Sequence, residues 1–194
     1  MRRFALIVVL AVAAAVAAPA QAEPRRFVLD PEHLVIDFAV MHIGYARVRG
    51  QFLAAQGSFV YDEATRTLTD LTVSIDPRSV FTNHKDRDGH IRSRDFLAAD
   101  QHPEIRFVMT RAVAESETAG RIEGDLTIRG VTRPVILEVT LNKIGPYPFG
   151  SNYVLGVSAR GTITRSAYGM TYALDNGWVG DEVEITIEAE AIRQ

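Results

Sequence analysis

The sequence predicts an all-β fold with one short helix, built as an eight-stranded antiparallel barrel. Three observations support this prediction. Apolar and polar residues alternate with a period of two in about eight separate runs, which is typical of half-buried strands. Turn-forming Gly, Pro, Asn and Asp lie between the runs. One central segment is too polar and too unevenly spaced for a strand, and it suits a short helix.

The predicted strands follow one another along most of the chain. They span residues 33–41, 48–61, 67–76, 104–114, 119–128, 132–142, 153–165 and 182–192. The last is the clearest, because Val183, Ile185 and Ile187 share one face while carboxylates occupy most of the other. The helix is placed within Arg87–Ala99, between the third and fourth strands, and it ends before Pro103.

Eight strands of this length suit a closed barrel whose interior holds one small ligand. A two-sheet sandwich is the alternative packing of the same strands. If the apolar faces pointed outward, the pattern would describe an outer-membrane barrel. Aromatic residues make up only 8% of the chain, and small residues such as Ala159, Gly161 and Ala189 lie on the apolar faces. Both features favour a soluble barrel with an apolar interior.

The first 22 residues have the features of a secretory signal peptide. Arg2 and Arg3 precede an apolar run from Phe4 to Ala18, and the segment Ala20–Ala22 matches the small-x-small pattern of a cleavage site. The run is about 15 residues long, whereas a membrane-spanning helix needs about 20, so an uncleaved anchor is the less favoured alternative. We therefore predict cleavage after Ala22, a single barrel domain over 23–194 and a periplasmic location.

Composition excludes several classes of function. The chain has no cysteine, which excludes disulfides, thiol nucleophiles and cysteine-ligated metals. Without the two arginines of the leader, 19 basic residues remain against 24 acidic ones, a net charge of −5 that does not suggest nucleic-acid binding. GxGxxG, P-loop and GxSxG motifs are absent from the sequence, and no cofactor is predicted.

The five histidines do not follow the spacing of a compact zinc motif, and no metal is predicted. A calcium-loop alignment that starts at His84 places Asp86, Asp88 and Asp95 at positions 3, 5 and 12. The match fails at the two ends of the loop, where the first Asp and the bidentate Glu are replaced. The favoured interpretation is a helix N-terminus capped by its own polar residues.

Four blocks of sequence resemble the YceI-like family, a group of periplasmic, lipocalin-like proteins associated with polyisoprenoid lipids. The segment 83–97 with 102–107 resembles the family signature RD-x-HL-x-S-x-DFF…YP-x-I-x-F, and the other blocks are 38–44 with 48–52, 124–135 and 165–170. The similarity extends from about Phe27 to Ile192. Leu97, His102 and Ala167 depart from the pattern, where Phe, Tyr and Asp are usual.

The resemblance implies an eight-stranded lipocalin-like barrel with one short helix and a long isoprenoid or acyl chain in its interior. It implies no catalytic residues. From the strand faces, we predict that the residues lining the interior include Phe38, Val40, Phe52, Phe107, Met109, Leu155, Ile163 and Trp178. For the polar end of the ligand we predict His42, Arg165 and Tyr168. The alternative for the last two is a turn-stabilising Arg and a core Tyr.

The predicted function is to hold a long apolar lipid for carriage, storage or scavenging in the periplasm. The lipid is a polyisoprenoid, an isoprenoid quinone or an acyl chain. Two alternatives remain open: a hydrolase or isomerase acting on such lipids with His42 or His90 as base, and a structural barrel with a filled core and a protein partner. A homodimer is compatible with the sequence.

Overall fold

A computed structural model describes residues 23–194, so the predicted leader lies outside the described residues. The strands are β1 (Arg25–His42), β2 (Ala46–Phe52), β3 (Ala55–Asp62), β4 (Thr67–Ile75), β5 (Val80–Phe81), β6 (Ile105–Ala114), β7 (Ala119–Ile128), β8 (Val131–Pro146), β9 (Tyr153–Thr164) and β10 (Val179–Arg193). The α-helix α1 covers Lys85–Arg92, and 3₁₀ turns cover Pro77–Ser79 and Arg165–Tyr168. Within 23–194, no helix combines the length and apolar character needed to cross a membrane.

Eight of these strands close into a barrel in which all neighbouring pairs are antiparallel. The order around the barrel is β1, β3, β4, β6, β7, β8, β9 and β10, and β10 pairs with β1 to complete it. The predicted eight-stranded antiparallel barrel is therefore confirmed, and the two-sheet sandwich is not what the chain forms.

The long strand β1 has two partners on the edge that faces away from β10. Residues 25–28 pair with β3, and residues 36–42 pair with β2. β2 and β3 are thus two parts of the single run predicted over 48–61, which Leu53 and Ala54 interrupt. β5 adds two residues to the outer edge of β2 and leads into α1.

Two strands are longer than predicted because bulges obscure their alternation. β1 begins at Arg25 instead of residue 33, and a register shift against β10 lies between Leu29 and Leu34. The residues inside this bulge do not alternate, so the periodic pattern becomes readable only after it. β8 extends to Pro146, past the predicted end at residue 142, and it also contains a register shift.

The apolar faces of the strands point into the barrel, as predicted. Ile163 is buried, and Val183 and Ile185 pack against the same interior cluster. Gly161 of β9 leaves room for the side chain of Leu137 on β8, because a Cβ atom at Gly161 would lie 2.7 Å from Cδ2 of Leu137. Small residues on the inner face therefore serve close packing of the barrel wall.

Helix α1 overlaps the predicted segment, but it begins at Lys85 and ends at Arg92, and residues 93–99 form no helix. His84 is its N-cap, and its Nδ1 accepts a hydrogen bond from the backbone N–H of Arg87 at 3.3 Å. Asp88 is buried and accepts bonds from the backbone N–H of Thr82 at 2.7 Å and from its hydroxyl at 2.5 Å. The calcium-loop interpretation is wrong, because Asp86 and Asp88 lie in the first turn of a helix and Asp88 fastens it to the chain after β5.

Candidate functional site

The barrel encloses a cavity of about 570 Å³. All eight barrel strands and α1 contribute to its wall, which is almost entirely aliphatic and aromatic; central members are Ile36, Phe107, Leu126, Leu137 and Ile185. The volume lies in the range typical of small-molecule sites. A barrel filled by its own side chains, the structural alternative, is therefore not what the chain forms.

An apolar cluster packs across the end of the barrel that lies away from α1. Phe27 is completely buried there and stacks on Phe59, with ring centroids 5.4 Å apart and planes within 7° of parallel. Leu155 and Ala191 complete the buried part of this cluster, which we call the Phe27 end. The cavity reaches it, since Phe59 and Leu155 also belong to the cavity wall.

The opposite end, which carries α1, is where the cavity meets solvent. Three wall residues there are exposed: Ile43 (46%), Tyr172 (44%) and Trp178 (54%). The backbone N–H of Ile43 donates to the carbonyl of Trp178 at 2.8 Å, which joins the β1–β2 hairpin to the loop before β10. The ring of Tyr172 contacts His90 of α1, with centroids 4.7 Å apart. Together with His42, we call Ile43, His90, Tyr172 and Trp178 the rim.

Polar groups on the wall are concentrated at the rim end. Apart from Asp37 on β1, the charged and imidazole side chains of the wall are His42, Arg87, His90 and Arg165. Arg87 donates from Nη2 to the carbonyl of Thr82 at 2.7 Å, and His90 pairs through Nε2 with Asp95 at 2.9 Å. The cavity therefore has an apolar body and a polar mouth, a distribution that suits an amphiphilic molecule.

Comparison with known proteins agrees with this architecture. The sequence pattern of the YceI-like domain matches residues 27–191. The chain belongs to the YceI-like family. A UPF0312 protein of Pectobacterium carotovorum is 37% identical over 178 residues, which cover 92% of this chain and 91% of that protein.

Two solved structures share the fold. The crystal structure of BcnA from Burkholderia cenocepacia has a TM-score of 0.75 at 20% identity and covers 84% of this chain and 98% of that one. A polyisoprenoid binding domain from Saccharophagus degradans, described as implicated in plant cell wall breakdown, has a TM-score of 0.63 at 13% identity, with coverage of 87% and 98%. At these identities, the two structures show a shared barrel.

Nine of the eleven residues predicted for the site lie on the cavity wall of this YceI-like barrel. They are Phe38, Val40, His42, Phe52, Phe107, Leu155, Ile163, Arg165 and Trp178. Their inward positions follow from strand alternation, except for Arg165 and Trp178, which lie in the segment between β9 and β10. Their contact with a ligand stays a prediction.

Arg165 reaches the wall, but its guanidinium is held by the backbone. Nε, Nη1 and Nη2 donate to the carbonyls of Gly180, Met170 and Val179 at 2.7, 2.6 and 2.7 Å. The residue is 2% exposed, and burial lowers the pKa of its side chain. It also lies 5.8 Å from the ring centroid of Phe96. These contacts match the turn-stabilising alternative. They hold both ends of the loop before β10, which we call the rim loop, against Arg165 at the start of the preceding 3₁₀ turn.

Met109, predicted to line the interior, and Tyr168, predicted for the polar end of the ligand with a core Tyr as the alternative, are not among the residues of the cavity wall. Tyr168 belongs to the same buried core cluster as the wall residues Ile36 and Phe107, at the end of a 3₁₀ turn that departs from the strand alternation. Burial raises the pKa of its phenol. Met109 packs against the same core, and a register shift between Met109 and Arg111 interrupts the alternation on which its inward position was predicted.

Sequence reasoning missed the contribution of α1 and of the rim loop. His90, Phe96 and Tyr172 form an aromatic cluster with centroid separations of 4.7 to 5.5 Å, and all three line the cavity. Period-two alternation carries no information about a helix or an irregular loop. His90 and Phe96 lie in the signature segment 83–97, where His90 was considered only as an alternative catalytic base, and Tyr172 lies outside the four blocks.

One group of potential metal-binding side chains lies on the outer surface, away from the wall. Asp30, His33 and Glu190 have ligand atoms within 4.8 Å of one another, at the bulge where β1 faces β10. His33 Nδ1 lies 2.7 Å from Asp30 Oδ2 and 3.9 Å from Glu190 Oε2. The hydrogen bond to Asp30 raises the pKa of His33 and lowers that of Asp30, so the group is accounted for as a surface ion pair.

Proposed function

We propose that this YceI-like protein binds one long apolar lipid chain in its cavity and carries, stores or scavenges that lipid in the periplasm. The ligand class is a polyisoprenoid, an isoprenoid quinone or an acyl chain. One observation carries the proposal: an apolar cavity of about 570 Å³ extends from the rim to the Phe27 end of a closed barrel. Apolar chains are the molecules that gain most free energy by moving from water into such a space.

The size of the cavity agrees with a chain of that kind. A water molecule occupies about 30 Å³ in the liquid, and a methylene group is of similar size, so the volume corresponds to roughly twenty such groups. Each buried methylene contributes roughly 0.8 kcal/mol, so ten of them supply about 8 kcal/mol. That free energy corresponds to micromolar affinity before ordering costs are subtracted. Binding of this strength requires no polar contact.

The distribution of polar groups orients the ligand. Its apolar tail extends toward Phe59 and Leu155, and its polar head stays near His42 and His90 at the rim. A tail at the Phe27 end lies against Phe59, Leu68 and Leu155, whereas a charged head group placed there would lose its hydration without a charged partner. The rim offers both imidazole groups and solvent.

Two further observations support ligand class and location. The Saccharophagus degradans structure with the same barrel is described as a polyisoprenoid binding domain. The leader predicted over residues 1–22 supports export to the periplasm. The function proposed is binding and not catalysis, since transfer into an apolar cavity needs no reacting group. A hydrolase or isomerase that uses His42 or His90 as base is the alternative, and product formation from a bound lipid would favour it.

A titration with a long-tailed isoprenoid quinone tests the proposal. Trp178 is the single tryptophan of the chain and lies at the rim, so a quinone head near the mouth quenches its fluorescence. We expect saturable quenching at one quinone per chain, with affinity that rises with tail length by roughly 0.8 kcal/mol per methylene buried. A quinone without a tail is the matched control. Equal quenching by both compounds would contradict the proposal, because it would show contact with the rim alone.

A further inference from the structure

The rim exposes an unusual amount of apolar and aromatic surface for the mouth of a binding site. Of nine large hydrophobic residues that are exposed in the described chain, four lie in the two loops of the rim: Ile43, Tyr45, Tyr172 and Trp178. Tyr45 is 90% exposed at the tip of the β1–β2 hairpin, where its N–H donates to the carbonyl of His42 at 3.0 Å. Exposed apolar patches of this kind mark interaction surfaces.

The patch is continuous with the cavity. Ile43, Tyr172 and Trp178 are exposed and at the same time belong to the cavity wall. The hydrogen bond between Ile43 and Trp178 holds the two rim loops against each other, and Arg165 anchors the second loop through three carbonyls. A surface that touches these exposed side chains therefore lies directly at the entrance of the cavity.

The chemistry of these side chains fits a lipid bilayer. Tyrosine and tryptophan combine an apolar ring with a polar tip, and they concentrate at the level of lipid head groups. Ile43 adds an aliphatic side chain at the same loop. Exposed side chains of this kind suit contact with the head-group region and the upper part of the acyl chains.

Charge near the rim complements anionic phospholipid. Segments 42–52, 84–95 and 171–178, which bear the rim residues and the Asp95 partner of His90, contain six basic side chains and four acidic ones. One of the acidic residues, Asp88, is buried against Thr82, and Arg47 of the first segment pairs with Glu184 at 2.8 Å. The described chain as a whole carries 19 basic and 24 acidic residues, so these segments differ in sign from the rest of the protein. Arginine and lysine near a membrane surface attract anionic head groups.

We infer that the rim docks on an anionic phospholipid bilayer, so that a lipid chain passes between the membrane and the cavity without crossing water. This inference rests on the proposed function, because it assigns the partner from which the ligand comes. Transfer through water would expose the whole apolar chain to solvent, which is unfavourable. Docking removes that cost, since Ile43, Tyr172 and Trp178 at the entrance are in contact with the bilayer when the ligand leaves.

Trp178 reports on docking directly. We would mix the protein without its predicted leader (residues 23–194) with two kinds of vesicle, both free of isoprenoid lipid. One kind contains phosphatidylglycerol and phosphatidylcholine, and the other contains phosphatidylcholine alone. On the anionic vesicles, we expect a blue shift of Trp178 emission and strong quenching by phospholipid brominated on its acyl chains. Pure phosphatidylcholine is expected to bind more weakly. Tryptophan emission that the anionic brominated vesicles leave unchanged would overturn the inference.

A matched pair of variants tests the surface. Tyr45→Ser removes an exposed ring that is not part of the cavity wall, and Phe149→Ser removes one that is 80% exposed in the turn between β8 and β9, at the Phe27 end. Tyr45→Ser is expected to weaken vesicle binding about tenfold, the effect of losing one buried aromatic ring. Tyr45→Trp should restore binding, and Phe149→Ser should leave it unchanged. Equal losses in the two serine variants would overturn the assignment of the rim.

The quinone titration separates this inference from the proposed function. Quinone binding in solution with no vesicle binding would overturn the docking inference alone, whereas vesicle binding with no quinone binding would overturn the proposed function. Sedimentation in the absence of vesicles tests another occupant of the patch, a second copy of the chain. A dimer that protects Trp178 from an aqueous quencher, and that Tyr45→Ser dissociates, would also overturn docking on a membrane.

Discussion

The ring of Phe107 occupies the space that Gly124 leaves on the neighbouring strand. A Cβ atom at Gly124 would lie 2.3 Å from Cζ of Phe107, far closer than atoms approach without displacement. Phe107 is 6% exposed and forms part of the cavity wall. Because Gly124 of β7 has no side chain, the Phe107 ring of β6 can occupy this position in the cavity.

We predict that Gly124→Ala displaces the Phe107 ring and destabilises the barrel by about 1–3 kcal/mol, the usual effect of overpacking. Gly89→Ala is the matched control, because nothing lies within 4 Å of a Cβ atom at this helical position, and alanine there should stabilise α1 by about 1 kcal/mol. Urea denaturation measures both changes. Equal stability of Gly124→Ala and the wild type would show that the ring is free to move.

Phe107 also provides a direct test of the cavity as the binding site. Phe107→Asp places a carboxylate in an apolar wall, where it has no partner, and we expect it to abolish lipid retention. Phe107→Leu keeps an apolar side chain and should reduce affinity only modestly. Lipid content is measured after purification, with circular dichroism to establish folding. If Phe107→Asp does not fold, Ala159→Leu, which fills part of the cavity without adding charge, should still lower lipid content. Wild-type lipid content in folded Phe107→Asp would contradict the assignment.

The three carbonyl contacts of Arg165 predict a structural role. Arg165→Met removes donors from the carbonyls of Met170, Val179 and Gly180 and should destabilise the protein by about 2–5 kcal/mol. Arg165→Lys should recover only part of this loss, because a single ammonium group does not match three separate acceptors in a fork. Denaturation curves measure these effects. Unchanged stability with weakened lipid binding would instead support the predicted contact with the ligand head group.

The hydroxyl of Tyr168 is buried without a hydrogen-bond partner among the described residues. Tyr168→Phe removes this group while keeping the ring, so stability at neutral pH should stay the same or rise by about 1 kcal/mol. Burial raises the pKa of the phenol above its ordinary value, so its contribution is fully present below pH 10 and is lost as pH rises through the folded-state pKa. Tyr168→Phe should therefore reduce the alkaline loss of stability. Destabilisation by this variant at neutral pH would show that the hydroxyl has a partner.

Much of the barrel was predictable, because strand alternation depends only on which residues face the interior. Val183, Ile185 and Ile187 of β10 point inward as the sequence indicates. The break of one run at Leu53 and Ala54 and the bulge in β1 depend on how neighbouring strands pair, which alternation does not record.

The rim was less predictable than the wall. His90 and Tyr172 meet because α1 packs over one end of the barrel, a tertiary contact with no periodic signature. The role of Arg165 was equally open, because its acceptors are carbonyls 5 to 15 residues away in an irregular loop. Trp178 was placed correctly on the wall, but its exposure depends on the same loop.

Native mass spectrometry of the processed protein, isolated from the periplasm of its own host, tests the central claim most directly. We predict an additional noncovalent mass of one ligand per chain, which organic extraction removes and which is recovered in the extract as an isoprenoid or acyl lipid. The extracted protein should take up the same mass again when the lipid is returned. A protein that has the mass of the chain alone before and after extraction, and that also fails to bind added isoprenoid quinone, would contradict the account.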